Sequence, residues 1–167
     1  KNLKIKVYFK RLDNSNLNRA YQLCQKTNQF NSTSIRYTSS DLIKLNSQNQ
    51  KVIVIAHSSE ESDSENIGLM IIEEDYKNLV AELKLYLLSC RVLGRGLEKG
   101  CIKWFANYYL EKGFLKLRAN LLKNERNIPI HNTFKEIGFI ENTNLSWELF
   151  LKKSFPEPEC FKIYNEV

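Results

Sequence analysis

Leu3, Ile5, Val7 and Phe9 alternate with lysines near the start of the chain, and a period of two predicts a strand over residues 3–9 with one wet face. Asp13, Asn14, Ser15 and Asn16 then offer side-chain oxygens for an N-cap. Leu17, Ala20, Tyr21 and Cys24 follow at helical spacing, so a helix is expected over 16–26. A shorter helix fits 39–45, with Ser39 or Ser40 as its cap. The β-branched run at 51–57 reads as a strand buried on both faces. The acidic, serine-rich stretch at 58–65 reads as a mobile connection to a hairpin partner at 66–73.

Alternation resumes at 81–90. Leu83, Leu85 and Leu87 fall on one side, with Glu82, Lys84, Tyr86 and Leu88 on the other. Leu97, Cys101, Trp104, Phe105 and Tyr108 make the widest apolar helical stripe in the chain, which Gly113 ends. A strand over 115–122 follows, then a short helix through Ile130, Phe134 and Ile137, closed by Gly138. Phe139 and residues 147–151 predict two last strands joined by a turn at 141–144. Pro156 and Pro158 break the remaining residues. The order predicts a mixed α/β (α+β) domain around one sheet over residues 1–153, with 154–167 as a tail.

The length of 167 residues suits one domain, and 43% apolar residues are enough to fill its core. No apolar run approaches the roughly 20 residues of a membrane span, and no signal peptide is evident. Cys24, Cys90, Cys101 and Cys160 form no paired motif, so no metal site is expected and a reducing cytoplasm is the expected setting. The net charge of +6 is local. Residues 91–126 hold nine Lys and Arg against three Glu, a surplus equal to that of the whole chain, while 60–75 hold seven acids and no base. A basic stretch can serve nucleic acid, but here it coincides with a glycine-rich loop, which favours a compact phosphorylated ligand.

That loop is Arg91-Val92-Leu93-Gly94-Arg95-Gly96, between a strand and a helix. Such a turn points free backbone N–H groups at one spot, and the helix dipole adds about half a positive charge there. Gly94 and Gly96 clear the approach for phosphate, and Arg91 and Arg95 add guanidinium contacts. The Gly-Lys-Ser/Thr ending of a Walker loop and the third glycine of a dinucleotide fingerprint are both missing.

The loop resembles the acyl-CoA pyrophosphate loop of the GNAT acetyltransferase superfamily, and the element order matches from end to end. The resemblance implies a GNAT-like acyl-CoA N-acyltransferase fold, with a central mixed, mostly antiparallel sheet flanked by helices. It implies acetyl-CoA or another acyl-CoA as cofactor, held by Leu88, Ser89, Cys90 and the loop from Arg91 to Gly96. Asn127 takes the place of the family's Asn near the pantetheine arm, and Gly138-Phe139 that of its helix-to-strand junction. One departure is marked: the tyrosine that often protonates the leaving thiolate corresponds to Phe134.

A narrower resemblance rests on two motifs. Gln25-Lys26-Thr27-Asn28-Gln29-Phe30-Asn31, followed by Arg36-Tyr37, and Ser89-Cys90 through Leu97-Glu98 together look like the C-terminal half of FkbH-like proteins. Those chains join a haloacid-dehalogenase (HAD)-type phosphatase domain to a GNAT-like domain and are associated with loading glyceryl units onto acyl carrier proteins. The resemblance implies an N-terminal HAD-type domain in a parent chain and an acyl carrier protein as partner. Lys1 in place of Met fits a domain cut from such a parent. It also turns Thr27, Asn28, Gln29, Phe30, Asn31 and Arg36, which composition alone reads as a polar loop, into candidate acceptor-binding residues.

Glu82, Tyr86 and His131 are the candidates for acid–base work. No Cys–His pair is readable, so direct transfer is expected rather than a covalent acyl-enzyme. A bulge at Leu88 or Ser89 would free an N–H for the oxyanion. Two functions are open at this point: an acyltransferase acting on an amine or hydroxyl, or a non-catalytic module holding the phosphopantetheine arm of a carrier protein.

Overall fold

The computed structural model describes residues 5–48, 50–58, 64–142 and 145–167. In chain order the elements are β1 (Ile5–Arg11), α1 (Leu17–Lys26), α2 (Ser39–Ser47), β2 (Gln50–Ser58), β3 (Glu65–Asp75) and β4 (Val80–Leu88). They continue with α3 (Leu97–Glu111), β5 (Lys116–Asn120), α4 (Ile128–Ile137), β6 (Ile140–Glu141), β7 (Ser146–Phe150) and β8 (Phe161–Glu166). All the strands join one sheet in the order β6-β7-β5-β4-β3-β2-β1-β8. Every neighbouring pair is antiparallel except β4–β5 and β1–β8. Leu3 and residues 59–63 and 143–144, which carry parts of the predicted first strand, connection and last turn, lie outside the described residues.

Two apolar layers sandwich the sheet. Val52, Val54, Leu69, Ile71, Leu85 and Leu87 meet Ala20, Leu23 and Cys24 of α1 and Leu42 of α2 on one face. Ile53, Ile55, Met70, Tyr86 and Leu88 meet α3 and α4 on the other. Burial on both faces explains why β2 reads as an unbroken apolar run. The cap of α2 is one residue earlier than the serines: Thr38 and Asp41 exchange side-chain-to-backbone hydrogen bonds as a capping box. Gly138 closes α4 with φ +114°, the left-handed turn a glycine adopts without strain.

The alternation in β4 does not run through. Ile71 of β3 pairs with Leu85 while Ile72 pairs with Leu83, so Lys84 is an extra residue on β4. This bulge flips the side-chain order. Ala81 and Leu83 face the α3 side, as do Tyr86 and Leu88, whereas Leu85 and Leu87 face α1. Glu82 and Tyr86, expected on one face, therefore lie on opposite faces. β4 also stops at Leu88, and residues 90–92 form a 3₁₀ turn instead of its end.

Residues 154–167, expected as a tail, carry β8, which adds a parallel edge strand beside β1. The Asn107 amide anchors the approach by accepting from the Phe155 N–H at 2.7 Å and donating to the Phe155 carbonyl at 2.9 Å. Phe161 then fills the space over Gly100 of α3, where a Cβ would meet its Cζ at 2.0 Å. The prolines break the chain only up to residue 158, and the sheet edge recovers it. We expect Gly100→Ala to lower stability by roughly 1–2 kcal/mol, because overpacking a closed core outweighs the better helix propensity of alanine. Thermal denaturation should show the substitution to be neutral or stabilising once Phe161→Ala has made room.

Candidate active site

β4 runs directly into the glycine loop, so whatever binds the loop lies at the end of that strand. Gly94 and Gly96 both take left-handed backbone, φ +81° and +84°, with nothing within 4 Å of where a Cβ would stand. Gly96 is the N-cap of α3 and offers no side chain to cap the first-turn amides. Arg91 donates to Glu65 at 2.8 Å, and Arg95 has no partner among the described residues. Lys99 pairs with Glu136 of α4. The Gly94 N–H is taken by the Glu98 carboxylate, so the chain's own anion sits in the cradle.

The stretch beyond Leu88 is already bonded. The Leu88 N–H donates to the Phe30 carbonyl at 3.1 Å, and the Ser89 N–H to the Ile67 carbonyl at 2.7 Å. The strand bulge lies at Lys84, away from both amides. Neither residue presents a free N–H to an oxyanion in this conformation.

The partner of Leu88 belongs to a segment that the polar composition of residues 27–34 conceals. β4 and β5 pair only from Val80↔Lys116 to Leu83↔Ala119 and then part. Residues 30–32 fill the gap. Asn31 bridges Leu87 in antiparallel sense. The Ser32 N–H donates to the Tyr86 carbonyl at 2.9 Å, and the Ser32 Oγ accepts from the Tyr86 N–H at 2.8 Å. On the other side the Leu122 N–H donates to the Ser32 carbonyl at 2.8 Å. Phe30, 1% exposed, packs edge-on against Tyr86. Asn127 is fully buried, and its amide donates to the carbonyls of Leu122 and Asn31, the latter at 3.3 Å. The residue that the resemblance assigns to the pantetheine arm is thus bonded to this plug.

The candidate acceptor residues divide. Thr27, Phe30 and Asn31 are buried. Arg36 is pinned to the carbonyls of Cys24 at 2.6 Å and Thr27 at 2.9 Å, and to the Asn28 side chain. Asn28 and Arg36 line an open pocket of about 430 Å3 with Ser34, Asn124, Glu125 and Arg126. Gln29 is exposed. The lone aromatic in the polar run, Phe30, is the one sequence signal of the plug.

The acid–base candidates also separate. The Tyr86 hydroxyl is buried and donates to the Glu98 carbonyl at 3.0 Å, and burial pushes its pKa well above the usual phenol range. It ties β4 to the first turn of α3. Cys101 beside it is pushed up to about 12, first by burial, so it is no thiolate nucleophile. Glu82 accepts from Lys84 at 3.3 Å and from the Asn120 amide at 3.2 Å. His131 has chemistry to spare: burial lowers its pKa, a hydrogen bond to the Leu122 backbone orients the ring, and its buried Nε2 has no partner. The ring packs edge-on against Trp147. Phe134 is fully buried against Phe139 and offers no proton.

The fold recurs in solved structures. Spermidine N-acetyltransferase from Vibrio cholerae, in complex with CoA and spermine, superposes with a TM-score of 0.66 over 87% of this chain and 95% of that one, at 15% identity. The ribosomal-protein-S18-alanine N-acetyltransferase of Escherichia coli gives 0.65 over 92% and 99%, at 11% identity. A domain from Methanocaldococcus jannaschii gives 0.67 over 88% and 99%, at 14% identity. The fold is GNAT-like. No protein-family model matches the sequence, and no curated protein does. Among the described residues of this GNAT-like domain, no helix is long and apolar enough to cross a membrane.

The buried imidazole makes a prediction about stability. The fold favours neutral His131, so the unfolded chain takes up the extra proton as pH falls below the ordinary histidine value of 6.5. Folding stability should therefore drop through that window, and urea titrations at pH 7.5 and 5.5 should show a smaller drop in His131→Gln.

Proposed function

We propose that the GNAT-like domain is an acyl-CoA-dependent acyltransferase that passes an acyl group to an amine or hydroxyl. The observation that carries this reading is the open, uncapped cradle at Gly94 and Gly96, set at the start of α3 in a fold shared with a CoA-complexed acetyltransferase. The loop suits a pyrophosphate: both glycines leave the approach clear of side chains, Arg95 lies between them, and the Glu98 carboxylate on the Gly94 N–H stands where the anion would bind. The bound thioester supplies an acyl carbon activated by a good leaving group. His131 would hold Nδ1–H toward the Leu122 backbone and take a proton from the acceptor at Nε2. Without a thiolate-competent cysteine beside it, transfer is direct.

The paired motifs at 25–31 and 89–98 extend the reading to an FkbH-like biosynthetic protein with a HAD-type companion domain and an acyl carrier protein. A second reading, in which the domain only holds the phosphopantetheine arm, is favoured by Phe134 and by the engaged Tyr86 hydroxyl.

CoA should raise the melting temperature of the domain, since a ligand selective for the native state at 100 times its Kd adds about 2.7 kcal/mol. Gly94→Val should abolish the rise by placing a side chain over the phosphate approach, and absence of any rise at millimolar CoA would sink the acyl-CoA reading. His131→Ala should reduce the rate of transfer from acyl-CoA to an amine acceptor on the order of 10²-fold with CoA binding retained. An unchanged rate would remove His131 from the chemistry, and the absence of any transfer with binding intact would favour the holding module.

A further inference from the structure

A ligand anchored by its phosphates at Gly94 and Gly96 can run inward along the edge of β4, because β4 leads into the loop and its pairing with β5 ends at Leu83. Pantetheine carries two amides on an extended chain, which is the chemistry that a strand edge recognises. In this structure that edge is taken. Residues 30–32 use the Tyr86 N–H, the Tyr86 carbonyl and the Leu88 N–H, and they reach across to Leu122 on the far side of the gap. We propose that this segment is a built-in occupant of the arm groove. It holds the site closed and must withdraw before an acyl-pantetheine arm can enter.

Three observations support a tenant rather than a fixed wall. Its contacts with β4 are backbone and hydroxyl hydrogen bonds of the kind an incoming amide chain replaces one for one. Asn127 bonds its Asn31 carbonyl, so the same side chain can turn from the segment to the arm. Its flanks, Asn28 and Ser34, open onto the 430 Å3 pocket beside Arg36 and Asn124, which gives the segment space to move into. Phe30 is its one large apolar anchor.

The closure lowers apparent affinity by the fraction of molecules that are open, and it does so only for ligands that carry the arm. The inference rests on the acyl-CoA reading, and one experiment separates the two. Titrate the domain and its Ser32→Ala variant with CoA and with 3′-phosphoadenosine 5′-diphosphate, which is CoA without its arm. Follow amide hydrogen exchange in parallel on the unaltered protein. Ser32→Ala should tighten CoA about tenfold while leaving the truncated nucleotide unchanged, because it weakens the closed state alone. In the unaltered protein, CoA but not the nucleotide should release the Ser32 and Leu122 amides to exchange. If CoA outbinds the nucleotide while both amides stay protected, or if Ser32→Ala leaves the ratio of affinities unchanged, the segment is a permanent part of the wall and the inference is overturned. If neither ligand binds either protein, the acyl-CoA reading itself falls, and this one with it.

Discussion

Two parallel strands that part after four paired residues leave a row of backbone donors and acceptors in a place shielded from water. Each such group left unsatisfied costs about 1–3 kcal/mol, so the row has to be filled. In this domain the row is the far half of β4, and its filling organises the rest of the site. Residues 30–32 enter from the α1 side, pair with Tyr86 and Leu88, and hand the hydrogen bonding on to Leu122. Asn127 secures the same segment from α4's N-cap. The polar composition of 27–34 reflects this place: Asn31, Ser32 and Thr33 are buried because they supply hydrogen bonds, and Phe30 supplies roughly 1.5–3 kcal/mol of apolar burial.

The two ends of the proposed site, the loop and the edge of β4, are in different states. At the loop, two glycines in left-handed backbone have nothing within 4 Å of where a Cβ would stand, and the Gly94 N–H is held by the Glu98 side chain. Along β4, amides, hydroxyls and a buried phenyl ring interlock. The Tyr86 hydroxyl joins the two ends by bonding the carbonyl of Glu98 at the first turn of α3. Displacement of Phe30 from the Tyr86 ring would therefore touch the same side chain that bonds the first turn of α3, which under the proposed reading links arm entry to phosphate binding.

Much of the fold is written in short-range pattern. Alternation gives β1 and β4, β-branched burial gives β2, and the apolar stripe with its flanking glycines gives α3 and the loop before it. What pattern does not give is long-range. The bulge at Lys84 depends on how β4 registers against β3, and it alone separates Glu82 from Tyr86. β8 depends on Asn107 and Gly100, far upstream in the chain, to hold a strand just after two prolines that local pattern reads as breakers. The plug is harder still. A polar run with one phenylalanine has no period, and only the divergence of β4 from β5 makes a strand of it.

The chemistry of the occupant bears on whether the gap is a site at all. A row of strand donors and acceptors is satisfied only by polar groups, and apolar side chains alone would leave it unpaired. Here a hydroxyl and two backbone groups meet β4, and each of them has a counterpart in a chain of secondary amides. The proposed exchange of segment for arm would keep the number of hydrogen bonds to Tyr86 and Leu88 constant. The free-energy difference between the closed and loaded states then reduces to the burial of Phe30 and the ordering of the displaced residues, set against the apolar stretches of the arm and the phosphate contacts at the loop. A reversible occupant requires these two sides to lie within a few kcal/mol of each other.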